Sequence, residues 1–280
     1  MTDDVTEARL RIEAALAAAV PPHSATVVVD DGATIAYHRW EPDPGVGAHP
    51  VPVVLQHGFT ANTMVDWLIP GTVAGLTAAG RRVVGVDARG HGQSEKSPDP
   101  ARYGEQRMAG DLLTVIALLD VPAVDLVGYS MGAVIALLTA AAKPTIRRLA
   151  VGGVGAGIVE VGGVDTRALA SDRLARALLT EDPGDLPPEI AGMRAFAEML
   201  GDDLPSLAAQ ARAVHREGID LAAITGETLV IAGDADPLAE RPHVLAEAIT
   251  GARLRLVAGG HDIIATNPAF RDTIIDFLSR

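Results

Sequence analysis

The segment Gly128-Tyr129-Ser130-Met131-Gly132 sets a serine between two glycines, after a strand-like run and before a helix-like one. A serine on such a turn projects its hydroxyl beyond a sheet edge, and the glycines permit close backbone approach. The helix that follows turns its positive end toward the serine, which favours developing negative charge. The isolated pentapeptide also fits a glycine turn whose serine caps a helix, but the flanking pattern favours a nucleophile. An aspartate at position 130 would point to alkyl-enzyme chemistry, whereas serine points to acyl transfer.

A serine nucleophile needs a neutral imidazole to take its proton and a carboxylate to hold that imidazole in the right tautomer. Among the eight histidines, His261 lies in the loop Val257 to Asp262, after the last strand-like run and before the helix that Asn267-Pro268 opens. His23, His38, His49, His215 and His243 are read as surface or packed residues, and His57 as structural. Asp236 closes the strand-like run that begins near Val230, which puts a carboxylate on the same rim as Ser130. Asp234 is its nearest competitor and is assigned to the turn itself, while Asp262 directly follows the base. For the oxyanion, the backbone amides of Phe59 and Met131 are the natural donors. Phe59, Trp67, Met193 and Phe196 are candidate walls of a substrate pocket, with core packing as the competing role.

These residues need elements to carry them. Ala25 to Val29 and Ala33 to Trp40 flank Asp30-Asp31-Gly32 and predict an antiparallel hairpin. Apolar runs at Val51 to Gln56, Arg82 to Asp87, Val124 to Tyr129, Arg148 to Gly152, Thr228 to Ala232 and Leu254 to Val257 alternate with helical patterns, which predicts βαβ units and a parallel sheet. The stretch Gly155 to Arg216 lacks a clear strand and reads as an inserted helical segment, punctuated at Glu181-Asp182-Pro183-Gly184 and Leu186-Pro187-Pro188. Within it Met193, Phe196, Met199 and Leu200 recur at helical spacing, either as a packed face or as the roof of a pocket.

Composition narrows the function further. With 280 residues, 48% of them hydrophobic, the chain can bury one sizeable core. The absence of cysteine excludes disulfide scaffolds, thiolate metal sites and a thiol nucleophile. A formal net charge of -13, without a basic run, argues against nucleic-acid binding. The N-terminal Ala-rich stretch is preceded by Asp3, Asp4, Glu7 and Glu13 and reads as an amphipathic helix rather than a secretion signal. No apolar run reaches the roughly 20 residues of a membrane span, so the expectation is a soluble, cytoplasmic chain whose oligomeric state, monomer or dimer, stays open.

Taken in order, His57-Gly58-Phe59, Asp87-Ala88-Arg89-Gly90-His91-Gly92-Gln93-Ser94, Gly128 to Gly132, Gly233-Asp234-Ala235-Asp236 and Gly260-His261 resemble the α/β-hydrolase superfamily with a helical cap. That group includes small carboxylesterases, lactonases, perhydrolase-like enzymes and carbon-carbon bond hydrolases. The resemblance runs from Ala25 to the C-terminus; it is specific for the superfamily and poorly specific for substrate. It implies an α/β fold with a mostly parallel eight-stranded sheet flanked by helices and a cap inserted after the sixth strand. The expected division is an N-terminal helix over 1–24, the hydrolase core over 25–154 and 217–280, and the cap over 155–216. By the same likeness Ser130, Asp236 and His261 form the catalytic triad, and the Phe59 and Met131 amides form the oxyanion hole. The implied activity is hydrolysis of a small to medium carboxylic ester through an acyl-serine, with a small-molecule acyl substrate and neither cofactor nor metal. Lactonase, thioesterase and carbon-carbon hydrolase activities are alternatives, as is a receptor-like member with slow turnover. The chain lacks the small, polar run that carbon-carbon hydrolases carry after His57-Gly58, and it lacks a His-Gly-Gly-Gly loop.

Overall fold

Eight short apolar and β-branched runs form one sheet in the computed structural model, which describes residues 2–143, 145–182, 184 and 186–279. They are β1 (His23–Val28), β2 (Thr34–Trp40), β3 (Val53–Gln56), β4 (Val83–Val86), β5 (Val124–Tyr129), β6 (Ile146–Gly152), β7 (Glu227–Gly233) and β8 (Arg253–Val257). Their spatial order is β1-β2-β4-β3-β5-β6-β7-β8. The β1–β2 hairpin is antiparallel, and β2 also runs antiparallel to β4. From β4 to β8 every pair is parallel. All residues of β3, β4 and β5 are buried, which is why these strands read as unbroken apolar runs rather than alternating ones.

Between and around the strands lie α1 (Thr2–Ala18), α2 (Thr72–Ala78), α3 (Glu105–Leu118), α4 (Met131–Ala142), α5 (Ala156–Val161), α6 (Ser171–Leu179), α7 (Pro188–Leu200), α8 (Leu204–Arg212), α9 (Pro242–Ala248), α10 (Ile263–Thr266) and α11 (Pro268–Leu278). One core cluster joins the sheet to α3 and α4 through Leu112, Val115, Ile135 and Leu137. A second cluster joins the sheet to α2 and α11 through Leu76, Phe270, Ile274 and Leu278. Helices α5 to α8 all fall between β6 and β7, and α6 to α8 have a small core of their own around Leu174, Leu178, Ile190 and Leu207. Below this insertion β6 and β7 stay paired in register, from Arg148 opposite Glu227 to Gly152 opposite Ile231.

Two expectations need adjustment. The helix expected over 1–24 ends at Ala18, because Pro21-Pro22 cannot continue it, and β1 already begins at His23. The stripe on α7 divides along its length: Met193 faces the cavity described below, whereas Met199 and Leu200 line a groove shared with Ile12 and Leu16 of α1. Seven residues of helix span about 10 Å, so the two ends meet different neighbours. Pro183, named above as a break, lies outside the described residues.

Candidate active site

Strand β5 delivers Ser130 to the carboxyl rim of the sheet, one residue past Tyr129 at the end of the strand. The turn is tight enough that a Cβ at Gly128 would overlap the Gly132 carbonyl, and one at Gly132 would overlap the Gln56 carbonyl. Ser130 itself is held at φ 53, ψ −118 by its N–H, which donates to the Gly152 carbonyl at 2.8 Å. This left-handed conformation costs a non-glycine residue on the order of 1–3 kcal/mol, and it aims the hydroxyl away from the sheet. The side chain is nearly buried.

Two loops from neighbouring strands meet it. His261 follows β8, and its Nε2 lies 2.9 Å from Ser130 Oγ. Asp236 follows β7, and its Oδ2 lies 2.9 Å from His261 Nδ1. The Asp236 carboxylate is buried and accepts a second bond from the Leu238 N–H at 2.9 Å, which fixes its plane. Asp234 serves the loop instead: its Oδ1 accepts from the Gly259 N–H at 3.0 Å and so braces the segment that carries His261. Asp262 lies at the start of α10, where its carbonyl accepts from Ala265 and Thr266. The Tyr129 hydroxyl donates to the His261 carbonyl at 2.6 Å, with the two rings 5.3 Å apart. The residue before the serine therefore also anchors the loop of the histidine.

The β3 exit loop supplies the opposite wall. His57 is buried; its Nδ1–H donates to the Gly58 carbonyl at 2.7 Å and its Nε2 accepts from the Ala88 N–H at 2.9 Å, so both ring nitrogens are engaged. Asp66, on the short π-helical turn Met64–Leu68, accepts from the Gly58 N–H at 2.8 Å and draws the loop down beside Ser130. Burial pushes the Asp66 carboxyl above its usual range, and the Gly58 bond opposes that rise. Met131 begins α4, where the first N–H groups have no intrahelical acceptor. The Phe59 and Met131 residues both border the space above Ser130.

The segment 87–94 is a structural hub. Asp87 accepts from Thr63 N–H at 3.0 Å, Gln93 N–H at 2.9 Å and His38 Nε2 at 3.0 Å, and Arg89 makes two 2.6 Å bonds to Asp111. Burial lowers the His91 pKa to about 3, so that ring is neutral between His57 and Phe59.

A cavity of about 160 Å³ opens on Ser130, Met131 and His261. Its apolar wall includes Phe59, Val164, Leu169, Leu174, Met193 and Leu238. A larger groove of about 720 Å³ lies between the start of α3 and residues 212–217, but neither Ser130 nor His261 borders it and its rim is charged. Of the pocket residues expected from sequence, Met193 reaches the cavity. Trp67 does not: it is fully buried in the core with Phe270 and Leu55, because its turn folds under the loop rather than over it. Phe196 is half-buried on α7 and lies outside the cavity lining. Two lining residues, Glu105 and Gln210, carried no sequence signal beyond a carboxylate at a helix start and an amide on a helix.

A serine, an imidazole and a carboxylate on the rim of a mixed eight-stranded sheet, the serine at a strand-to-helix turn, define a class of α/β proteins built for nucleophilic chemistry. The sequence model of the alpha/beta hydrolase fold matches residues 51–154. A 2-hydroxymuconate semialdehyde hydrolase of Pseudomonas putida is 30% identical over 189 residues, covering 60% of this chain and 67% of that protein. A 3-hydroxybutyrate-oligomer hydrolase of Cupriavidus necator is 37% identical over 122 residues, covering 43% of this chain and 39% of that protein, so this chain spans well under half of that relative's length. Among solved structures, a hydrolase from Pseudomonas aeruginosa superposes with a TM-score of 0.71 at 26% identity, covering 92% of this chain and 99% of that one. The chain belongs to the α/β-hydrolase fold family. No helix among the described residues is long and apolar enough to cross a membrane.

Proposed function

We propose that this chain hydrolyses carboxylic esters of small to medium acyl groups through an acyl-Ser130 intermediate. The observation that carries the reading is the row Ser130 Oγ, His261 Nε2, His261 Nδ1 and Asp236 Oδ2, with 2.9 Å at each of its two contacts, beside an apolar cavity. In this reading His261 takes the Ser130 proton as Oγ attacks the ester carbonyl, and Asp236 stabilises the imidazolium. The carbonyl oxygen becomes an oxyanion that accepts from the Phe59 and Met131 N–H groups. Its collapse expels the alkoxide, which takes the proton from His261. Water, deprotonated by the same imidazole, then attacks the acyl-serine and releases the acid.

The helices between β6 and β7 act as the cap over residues 155–216, and they supply the acyl wall through Val164, Leu169, Leu174 and Met193. The cavity suits a short acyl chain, since about 160 Å³ corresponds to roughly five water volumes. The match to a protein named for hydrolysis of 3-hydroxybutyrate oligomers supports the same class of bond.

The test is hydrolysis of p-nitrophenyl acyl esters of graded length by the wild type and Ser130→Ala, with mass spectrometry of the protein during turnover. The expected result is an acyl adduct on Ser130 and a loss of at least about 10³-fold in kcat in the variant. Undiminished turnover in Ser130→Ala removes Ser130 as nucleophile. Cleavage of a carbon-carbon substrate in preference to every ester moves the assignment to that alternative.

A further inference from the structure

The apolar cavity has a polar floor that the triad does not use. Glu105, the first residue of α3, is 2% exposed, and Gln210 of α8 is 1% exposed, yet both border the cavity that holds Ser130. Gln210 Oε1 is occupied by the Gly104 N–H at 3.1 Å, so its amide orientation is fixed. Its Nε2 donates to Glu105 Oε1 at 3.1 Å and makes its other contact to Met131 Sδ at 3.7 Å. Glu105 Oε2 accepts from the His215 N–H at 2.6 Å, which locks the carboxyl against the end of the helical insertion.

We infer that Glu105 and Gln210 form a hydroxyl-binding subsite, which selects acyl groups carrying a hydroxyl beyond the scissile carbonyl. This deepens the acyl-serine reading and rests on it for the position of the carbonyl. A hydroxyl is both donor and acceptor, and the pair presents the complement: an N–H whose present partner is a weakly accepting thioether, and a carboxyl oxygen with a spare lone pair. Replacing N–H···S with N–H···O, and filling the lone pair with O–H, improves both contacts at two side chains that are almost fully buried. An unsubstituted chain leaves both groups facing hydrocarbon. An anionic chain finds no Lys or Arg among the lining residues and meets a carboxyl instead. Burial pushes Glu105 up to about 7, so its protonated form, which can also donate, is populated near neutrality. The other polar side chains on the wall are the hydroxyls of Thr60, Thr166 and Ser171, and that of Thr60 already donates to the Phe59 carbonyl at 2.7 Å.

The experiment compares kcat/KM for p-nitrophenyl 3-hydroxybutanoate against butanoate, and 6-hydroxyhexanoate against hexanoate. It is run on the wild type, Glu105→Met, Gln210→Met and Glu105→Gln. Each ratio is internal to one preparation, so a reduced folded fraction cancels. The expected result is a preference of at least about tenfold for the hydroxylated member of one pair in the wild type, worth one sizeable hydrogen-bonded contact. It falls to within about twofold in both Met variants and is weakened in Glu105→Gln, whose amide N–H faces the donor of either Gln210 or His215. A ratio unchanged by Glu105→Met, or a wild type without preference, overturns the subsite. Binding of 6-hydroxyhexanamide and hexanamide to Ser130→Ala, followed by ligand-observed NMR, separates the two readings. Preferential hydroxyamide binding with no ester turned over by the wild type keeps the subsite and rejects the acyl-serine. Ester turnover with equal binding of the two amides does the reverse.

Discussion

Ser130 carries a backbone cost in the turn between β5 and α4. At φ 53, ψ −118 the residue sits where a Cβ is disfavoured, and the Gly152 carbonyl and the start of α4 keep it there. Removing the Cβ should therefore relieve strain that removing only the oxygen leaves in place. Ser130→Gly is expected to be more stable than Ser130→Ala by about 1 kcal/mol, both lacking turnover, as read from urea midpoints at equal m-value. A glycine variant less stable than the alanine one contradicts the strain. At this scale the sequence was informative where a placement is tied to chain position: Ser130, Asp236 and His261 each follow a strand-like run and meet on one rim. It was silent where the role depends on what packs alongside. Trp67 and Met193 are both large and apolar, but one turns under the β3 exit loop and the other faces the cavity. Glu105 reads in sequence as an ordinary acidic residue in a first helical turn, and only its contact with α8 marks it as part of a cavity floor.

The elements obey a simpler rule. Strands buried on both faces leave unbroken apolar runs, so β3, β4 and β5 were legible to within two residues at their ends, and β6 to β8 were legible to the same tolerance although β8 is exposed from Arg253 to Leu256. The antiparallel β1–β2 hairpin was legible from Asp30-Asp31-Gly32. The helices of the insertion were legible as helices but not in their packing, because a Met and Phe stripe does not say which neighbour each turn will meet. The first turn of α4 is pressed against two strands, against β5 at Gly128 and against the end of β3 at Gly132. Gly128→Ala is expected to lower stability by about 2–3 kcal/mol, since the obstacle is a backbone carbonyl that cannot rotate aside. Gly192→Ala, on the insertion with open space around it, should be neutral or stabilising by comparison. Equal chemical-denaturation midpoints for the two variants would refute this account of the junction.

For the molecule as a whole, buried carboxyls set the response to pH. Burial raises Glu105 to about 7 and Asp202 to about 6, so the folded chain binds these protons more tightly than the unfolded one. Their contribution is fully present below the unfolded carboxylate range and is lost as pH rises through the folded values. For Glu105 the full loss is about 3 kcal/mol. Asp31 behaves oppositely: hydrogen bonds from Arg89 hold it at about 2, so its contribution is present above the unfolded value and lost as pH falls toward 2. Wild type is expected to lose stability relative to Glu105→Gln between about pH 5 and pH 8, as followed by urea unfolding at each pH. Parallel stability curves for the two proteins exclude Glu105 as the source.

The unbroken register of β6 against β7 has a consequence for how such a chain can change. The insertion leaves from one strand and returns to the next while their hydrogen bonds close the gap beneath it, so its length is decoupled from the spacing of the rim. Helices beyond α5 can be added, trimmed or exchanged there with the sheet intact, whereas α5 itself is tied to the segment after Asp236 through Ala156 N–H to the Glu240 carbonyl and Glu160 to Arg241. Most of the apolar wall of the cavity thus comes from one stretch of chain, while Ser130, Asp236 and His261 stand on others.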